Sequence, residues 1–478
     1  MQTVEEMVEK AREAQAEWEK SGQKRIDAVV REIGKTVYDN AEWLARLTVE
    51  ETQAGNYEDN LRQDKRKASI IWHSLKGRKS LGIVKRDQET GLVEVAKPIG
   101  VVAAILPMTI PVTNFMSNAM FSVKARNAVI AAPHPKAAET VAATASLILA
   151  ALAKFDVPRG LIQYLEEPSI DLTKELMTKA DVIVATGGMP MVKSAYSSGK
   201  PAYGVGPGNV QCIVDRGVDI EEAVPKIVDG RAFNNGLPCA CEQAVMIHRD
   251  DIDEALQCFA RNKAVFIDDS ETIQRLAKAL YTDGVLSRDG MGITAPKLAE
   301  KIGLSVPQDT RVLLIKADDN TIESLRKEKL SPVTLVYTYS SFEEAVQLIK
   351  ANISLQGRGH SVAIHSGDQE HIEALAIAIP VTRVIVNQCA TTSAGGSFMN
   401  GFGATTTLGT GFWGNTVLQG NLDFTHLMNY TRIGYPPAAA RVPADEEIWG
   451  EDPYLEEITG SSPKGPVSFI SSVGSTAT

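Results

Sequence analysis

Apolar residues recur at every third or fourth position along the N-terminal part of the chain. Val4, Met7 and Ala11 follow this spacing, which places them on one face of a helix. The pattern predicts two helices within residues 3–55 and a further helix over about 60–76. The first predicted elements are therefore amphipathic helices.

The pattern changes from helical to alternating after about residue 80. The stretch GIVKRDQETGLVEVAKPIG alternates apolar and polar residues and turns at Thr90-Gly91, which predicts a hairpin. From residue 97 onward, short apolar runs alternate with helical stretches, and these runs include PIGVVAAILP, NAVIAAP and DVIVATGG. Strands that alternate with helices predict a parallel, doubly wound α/β sheet.

A second series of apolar runs, between about residues 240 and 420, predicts a second α/β domain. We predict N-terminal helices and a dinucleotide-binding domain over 1–230, completed by about 421–435, and a catalytic domain over 231–420. Residues 436–478 are rich in Pro, Gly, Ser and Thr, which predicts an extended or mobile C-terminal tail.

Composition and charge argue against several classes of function. The 478 residues are 44% hydrophobic and carry a net charge of −10, which disfavours a nucleic-acid partner because such a partner needs a basic face. The N-terminal segment lacks the apolar stretch of a signal peptide, and no uncharged apolar run is long enough to predict a membrane span. Five cysteines in this length do not form a disulfide framework. We expect a cytoplasmic protein with reduced thiols and with no nucleic-acid or membrane partner.

The segment FNNGLPCACEQ holds two cysteines, Cys239 and Cys241, one residue apart. A relaxed disulfide does not close over so short a loop, and a zinc site needs further Cys or His ligands at matching spacing. We therefore expect no metal here. Gly236 and Pro238 set a turn that would present Cys239 on a loop at a domain boundary, where clefts form, while Cys241 fits an inert core position.

Three other features fit either a site or an ordinary structural role. The segment ATGGMPMV, residues 185–192, follows an apolar strand, so its glycines permit either close approach of a phosphate or a plain strand-to-helix turn. His360 lies in the glycine-rich loop GRGHS. Arg231 precedes the cysteine loop, where it would bind an anionic substrate tail or form a surface ion pair.

Taken in order, these segments resemble the aldehyde dehydrogenase superfamily, and within it the CoA-acylating aldehyde dehydrogenases. The resemblance runs from about residue 5 to 433 and is carried by KPIGVVAAILP, KARNAVIAAPHPKA, ATGGMPMVKSAYSSGKPAYGVGPGNV, FNNGLPCACEQ, KEKLSPV, GRGHS, TTLGTGFWGN and HLMNYTRIG. The phrases NVQCIVDRGVDIEEAVPKI and TTSAGGSFMNG are most similar to the CoA-dependent succinate-semialdehyde type. They also resemble the aldehyde half of the aldehyde–alcohol dehydrogenases.

The resemblance implies a two-domain α/β fold of the aldehyde dehydrogenase kind, with a Rossmann-type cofactor domain, an α/β catalytic domain and the active site between them. It implies that Cys239 attacks a small aldehyde to form a thiohemiacetal, and that hydride transfer to NAD or NADP leaves a thioester. Coenzyme A, as co-substrate, would then take the acyl group. A homodimer or a higher homo-oligomer is also implied.

The same resemblance assigns roles to further residues. Six residues would bind the cofactor. Thr186, Gly187 and Gly188 would line its phosphate and nicotinamide region, and Pro133 and His134 would lie at its adenosine. Glu328 would accept hydrogen bonds from the hydroxyls of its nicotinamide ribose. His360 would lie near the catalytic pocket.

Two departures from the family pattern bear on the chemistry. The segment GVGPGN lacks the general-base Glu of the hydrolytic members, which favours thiolysis over attack by water. Ile110, in the expected substrate pocket, replaces the Asn that usually donates to the oxyanion, and Thr113 and Asn114 are candidate replacements.

The sequence therefore predicts reversible, NAD(P)+-dependent oxidation of a small aldehyde to its acyl-CoA. Succinate semialdehyde, sulfoacetaldehyde and acetaldehyde are the candidate substrates, and the first two are anionic. Two alternatives remain open: a non-acylating dehydrogenase that releases the free acid, and a weakly active family member with a binding or assembly role.

Overall fold

The computed structural model describes residues 2–437, 439–450, 454 and 458 of the chain. Within these residues the α-helices are α1 Val4–Trp18, α2 Gln23–Thr52, α3 Tyr57–Leu75, α4 Pro111–Lys124, α5 Ala138–Leu152, α6 Ile170–Lys179, α7 Met189–Tyr196, α8 Ile220–Ala232, α9 Ile252–Arg261, α10 Ser270–Leu280, α11 Ala295–Lys301, α12 Phe342–Leu355, α13 Gln369–Ala378, α14 Ala390–Ser393 and α15 Asp445–Trp449.

The strands that the structure describes are β1 Gly82–Arg86, β2 Leu92–Pro98, β3 Val101–Ile105, β4 Ala128–Ala132, β5 Ile162–Tyr164, β6 Val182–Thr186, β7 Ala202–Val205, β8 Val210–Val214, β9 Glu242–His248, β10 Ala264–Ile267, β11 Tyr281–Thr282, β12 Val285–Leu286, β13 Val312–Lys316, β14 Val333–Tyr339, β15 Val362–His365, β16 Val384–Val386 and β17 Met428–Gly434. Most of them belong to two parallel sheets.

The N-terminal helices confirm the helical spacing of the first part of the chain. Helix α1 begins at a capping box, in which the Thr3 hydroxyl accepts from the Glu6 backbone N–H and the Glu6 carboxylate accepts from the Thr3 N–H. The apolar faces of α1, α2 and α3 are buried in one core with strands β3 and β4. Helix α2 packs on α3, α4 and α5, so these helices cover one side of the first sheet.

The first sheet has five parallel strands in the order β5-β4-β3-β6-β7. Every residue of β3 and β4 is buried. Such continuous apolar strands are typical of a parallel sheet whose two faces are both covered by helices. This sheet confirms the doubly wound arrangement predicted from the apolar runs after residue 97.

The second sheet has seven parallel strands in the order β10-β13-β14-β9-β8-β15-β16. Strand β8 lies between β9 and β15 in this sheet, and its residues fall within the stretch 1–230 predicted as the first domain. The chain changes sheets through the short segment 206–209 that follows β7. Local sequence does not reveal this change, because GPGN has the composition of a turn within one sheet.

Residues 85–94 and the described part of 432–478 form a second compact unit, and the other described residues form the first. In the second unit Gly91 has a φ of +69°, which suits the predicted turn at Thr90-Gly91. Within that unit Arg432 Nε lies 3.1 Å from the Glu94 carboxylate. The predicted tail of 436–478 lies largely outside the described residues, and its described part includes helix α15.

One helical stretch, Pro135–Phe155, is long and apolar enough to cross a membrane by length and composition alone. Its residues Val141, Ala145 and Ile148 are buried in the core that contains β3 and β4. Core helices of this kind meet the same criterion, so the stretch is weak evidence for a membrane span.

Candidate active site

A cavity of about 600 Å³ lies where the two parallel sheets face each other. The five-stranded sheet contributes the segments that follow the carboxyl ends of β3, β4 and β6, and the seven-stranded sheet contributes the segments that precede β8, β9 and β14. Open α/β sheets bind ligands at their carboxyl ends. Of the residues predicted from sequence, the cavity walls include Ile110, His134, Thr186, Gly187, Gly188, Cys239 and Glu328.

The loop before Cys239 has a backbone that few residue types adopt. Asn234, Asn235 and Gly236 have φ values of +50°, +54° and +76°. This left-handed region is favourable for glycine and tolerated by asparagine. A side chain at Gly236 would also collide with the Ser331 carbonyl oxygen, 2.4 Å from the Cβ position. The sequence FNNG therefore produces a tight kink just before the reactive cysteine.

Hydrogen bonds to the N-terminal helices hold this kink. The Asn234 side-chain oxygen accepts from the Asn56 backbone N–H at 2.8 Å, and the Asn234 backbone N–H donates to Asp59 at 2.8 Å. The Asn235 amide donates to the Gly55 and Gly292 carbonyl oxygens. The position of Cys239 is thus fixed by contacts with residues nearly 180 positions earlier in the chain.

Cys239 and His360 form the reactive pair of the cavity. The Sγ of Cys239 lies 3.3 Å from Nε2 of His360. His360 is fully buried, and its Nδ1 has no hydrogen-bond partner among the described residues. The structure therefore places the glycine-loop histidine singled out from sequence directly beside the predicted nucleophile.

Both members of this pair are held in their neutral forms. Burial raises the pKa of the Cys239 thiol to about 12, the Glu328 carboxylate adds to this rise, and Arg383 and Lys67 oppose it. Burial also lowers the pKa of His360 to about 3, and the Arg383 guanidinium lowers it further. The free enzyme near pH 7 therefore holds a thiol and a neutral imidazole.

The wall next to Cys239 contains Ile110 and Thr113. Ile110 occupies the N-cap position of α4 and offers no side-chain hydrogen bond. Thr113 is fully buried, and its hydroxyl has no hydrogen-bond partner among the described residues. The Asn114 amide is instead engaged by the Thr406 hydroxyl at 3.1 Å. Of the two candidate replacements for the missing Asn, Thr113 is the one with an uncommitted polar group at this wall.

The opposite wall has the features of a nucleotide site. Thr186 ends β6, and the Cβ position of Gly187 has no atom within 4 Å, so backbone there is open to a ligand. Across the cavity, Glu328 accepts a hydrogen bond from the Gly208 N–H at 3.1 Å. Burial raises the pKa of Glu328 to about 7. His134 follows β4 at the same edge of the sheet, and Pro133 is buried beside it.

The structure does not bring Arg231 to this cavity. Its guanidinium is fully buried and donates to the Ser331 carbonyl oxygen, so Arg231 is not a surface ion pair either. Cys241 is fully buried, as its core interpretation predicted, and burial raises its pKa well above the usual range. Among the described residues, no group of three or more His, Cys, Asp or Glu side chains is placed to hold a metal ion.

Two cations near Cys239 were not found from the sequence. Lys67 lines the cavity from helix α3, and Arg383 lies against the His360 loop. Lys67 belongs to the charged run RQDKRK, which has the composition of a solvated helix face. Arg383 gives a weak signal, because an arginine directly before the apolar strand β16 is unusual unless its charge is satisfied.

A thiol beside an imidazole, facing a glycine-rich strand end and a carboxylate across a cleft between two α/β sheets, defines a cysteine-dependent dehydrogenase of the two-sheet type. The chain belongs to the aldehyde dehydrogenase family, whose model matches residues 1–270. This confirms the family and the fold predicted from the sequence motifs.

One relative and two solved structures show which members of the family this chain is similar to. The chain is 45% identical to succinate-semialdehyde dehydrogenase (acetylating) of Clostridium kluyveri over 94% of its length and 99% of the relative's. An acetylating aldehyde dehydrogenase from Geobacillus thermoglucosidasius has a TM-score of 0.88 at 35% identity, over 92% of this chain and 98% of that one. Propionaldehyde dehydrogenase from Rhodopseudomonas palustris, solved with bound CoA and an acylated cysteine, has a TM-score of 0.83 at 26% identity, over 91% and 97%. The predicted enzyme class, CoA-acylating aldehyde dehydrogenase, is confirmed.

Proposed function

We propose that this protein catalyses reversible, NAD(P)+-dependent conversion of a small aldehyde and CoA into the acyl-CoA. The contact between Cys239 and His360 in the cavity between the sheets carries this proposal. It puts a nucleophile within reach of an aldehyde whose other side faces the glycine-rich segment 186–188 and Glu328. The relatives with acylating activity support the same reaction.

In the first step, Cys239 Sγ forms a bond to the aldehyde carbon, and the carbonyl oxygen develops negative charge. The thiol proton has to leave as this bond forms, and His360 Nε2, at 3.3 Å, is positioned to accept it. The Cys239 backbone N–H and the uncommitted Thr113 hydroxyl are the candidate donors to the oxygen.

In the second step, the carbon of the thiohemiacetal is oxidised to a thioester by loss of a hydride and a proton. A bound NAD or NADP supplies the hydride acceptor at this point. Thr186, Gly187 and Gly188 would hold it from one wall, and the Glu328 carboxylate would accept hydrogen bonds from its ribose hydroxyls from the other. In the last step, the CoA thiol loses its proton, its sulfur bonds to the acyl carbon, the bond to Cys239 breaks, and the released Cys239 sulfur takes up a proton to restore the thiol.

The segment that connects the two sheets favours attack on the thioester by CoA rather than by water. Residues 204–209 read GVGPGN and provide no carboxylate that would activate water. The Cβ position of Gly208 lies 1.8 Å from the Cys239 carbonyl oxygen, so a side chain at this residue would displace the nucleophile loop. The segment therefore supports the cysteine instead of supplying a base.

The direct test incubates the pure protein with NAD+ or NADP+ and an aldehyde, with and without CoA. Formation of the reduced cofactor is followed by its absorbance. We expect absorbance that requires CoA, is lost in Cys239→Ala and is kept in Cys241→Ala. Equal rates without CoA would establish the hydrolytic alternative. No activity with succinate semialdehyde, sulfoacetaldehyde, acetaldehyde or butanal would favour the weakly active alternative. A cytoplasmic location and a homodimeric or higher assembly stay predictions.

A further inference from the structure

Lys67 is a basic side chain in the wall of the reactive cavity. It projects from helix α3, and its Nζ donates to the carbonyl oxygens of Gly395 at 2.8 Å and Thr405 at 2.9 Å. Both acceptors also line the cavity. An ammonium group carries three N–H donors, so one remains after these two hydrogen bonds.

In the part of the chain that the structure describes, no carboxylate forms an ion pair with Lys67. Among the described residues, its neighbours on the same helix have acidic partners: Lys65 lies 3.6 Å from Glu42, and Arg62 lies 3.1 Å from Asp59. For Lys67 itself, the described structure contains no carboxylate within 4.0 Å of Nζ, and only the two carbonyl dipoles compensate its charge. A cation removed from water without a counter-ion is costly, which makes such a group a candidate ligand site.

Lys67 and Cys239 line the same cavity, and each acts on the pKa of the other. Burial lowers the pKa of Lys67 to about 7, Arg66 lowers it further, and Cys239 raises it. The other cation that acts on Cys239 is Arg383, which makes four hydrogen bonds to protein acceptors and is not among the residues that line the cavity. Lys136 and Arg288 also line the cavity, but they act on His134, on the nucleotide side. Lys67 is thus the cavity cation available to a substrate bonded to Cys239.

We propose that the ammonium group of Lys67 binds the anionic tail of the aldehyde substrate, a carboxylate or a sulfonate, and so selects ω-anionic small aldehydes. This inference rests on the proposed function, because it names the substrate class of the same site. An anionic tail bound at Lys67 would accept a hydrogen bond from the remaining N–H and would supply the missing counter-charge. The aldehyde end would then lie at Cys239, with its other side facing the nucleotide wall.

A pair of four-carbon aldehydes tests this role: succinate semialdehyde carries the charge, and butanal does not. We expect Lys67→Gln to lower kcat/KM for succinate semialdehyde by about 10- to 100-fold, since hydrogen bonds to charged groups carry this much affinity. The rate with butanal should fall by a clearly smaller factor, because loss of the cation acts on Cys239 for both aldehydes but removes a tail contact only for succinate semialdehyde. The KM for CoA should not change.

Lys65→Gln, on the same helix but paired with Glu42 outside the cavity, is the matched control and should leave both rates unchanged. An equal loss with both aldehydes in folded Lys67→Gln would show that Lys67 acts on Cys239 and would overturn the proposal. So would an unchanged ratio of the two rates, or a rise in the KM for CoA alone.

If Lys67→Gln does not fold, Lys67→Arg tests the proposal instead, because it keeps the positive charge at this position. Retained preference for succinate semialdehyde would support the proposal, and lost preference with normal butanal oxidation would overturn it. The two proposals fail separately. A wild-type protein that oxidises no aldehyde with CoA refutes the proposed function, whereas CoA-dependent oxidation of butanal with a charge preference independent of Lys67 refutes only this inference.

Discussion

The thiol of Cys239 lies 3.3 Å from the imidazole Nε2 of His360, and both groups are neutral at rest. A neutral pair is the opposite of the preformed thiolate–imidazolium pair that a strongly activated cysteine requires. The free enzyme therefore protects its nucleophile from oxidation and alkylation, and the thiolate has to form as substrate reacts.

Alkylation of the free enzyme tests this protonation state. Because only the thiolate reacts, and burial raises the pKa of Cys239 to about 12, the rate with iodoacetamide should rise about tenfold per pH unit up to at least about pH 10. Mass spectrometry of the modified peptide measures the rate at Cys239. Cys241 on the same peptide is fully buried and serves as the internal control. A rate that reaches a plateau below pH 8 would show that a thiolate is already present.

Ile110→Asn tests whether the oxyanion site lacks a donor. Removing one such donor from an enzyme costs about 10²–10³ in kcat, so adding one at the cavity wall should raise kcat by tenfold or more. Ile110 is also the N-cap of α4, ahead of Pro111, and Asn caps helices better than Ile does by roughly 1 kcal/mol. We therefore expect a higher melting temperature together with faster turnover.

Ile110→Ala is the control for the change in side-chain volume, since it adds no donor. If Ile110→Asn is more stable but no faster, another group already donates. Thr113→Val would then identify it, because the Thr113 hydroxyl has no other partner among the described residues.

Much of the fold could be predicted from the sequence because its signals are local. The runs that became β3, β4 and β6 are apolar at nearly every position, as buried parallel strands require, and their helices have the 3.6-residue period. The assignment of β8 to the second sheet could not be predicted, since it depends on pairing with β9 and β15 and not on β8 itself.

The site shows the same division between local and distant determinants. Cys239 and His360 stand in loops with recognisable glycines, and their motifs resemble the family. The positions of the Arg231 and Lys67 side chains are instead set by partners far away in the sequence. Arg231 is buried because the Ser331 carbonyl, 100 residues away, receives its guanidinium, and Lys67 faces the cavity because the carbonyls of Gly395 and Thr405 hold its ammonium. No pattern around either residue reveals those partners.

Glu328→Gln tests the predicted contact with the cofactor ribose. The variant can still accept from the Gly208 N–H, so the local backbone should be retained. Loss of the charged acceptor should raise the KM for NAD+ or NADP+ by roughly 10- to 100-fold, with little effect on the KM for CoA. Steady-state kinetics with each substrate varied in turn measures both values.

Glu323→Gln is the matched control for Glu328, because Glu323 is exposed and forms a surface ion pair with Lys327 at 2.7 Å. It should leave all kinetic constants unchanged. A Glu328→Gln enzyme with a normal cofactor KM and a reduced kcat would contradict the ribose role. Such a result would point to the raised pKa of Glu328, about 7, as the property that matters.

Arg383→Lys tests how firmly the nucleophile's partner has to be held. The Arg383 guanidinium donates to the Ser361 hydroxyl, the Asn421 amide oxygen and the carbonyl oxygens of His360 and Gly409, at 2.8–3.0 Å. A lysine cannot span these four acceptors, because its three N–H groups point from a single atom. The acceptors that lose their donor stay buried and unpaired, and this should lower the free energy of unfolding by about 2–4 kcal/mol.

Activity should fall together with stability, because two of the four bonds fix the loop that carries His360. Urea denaturation and kcat at saturating substrate measure the two effects. Arg311→Lys is the comparison, since Arg311 forms an exposed ion pair with Asp229 at 2.7 Å, which contributes about 1 kcal/mol or less. If the two variants unfold at the same urea concentration and turn over at the wild-type rate, the Arg383 network does not position His360.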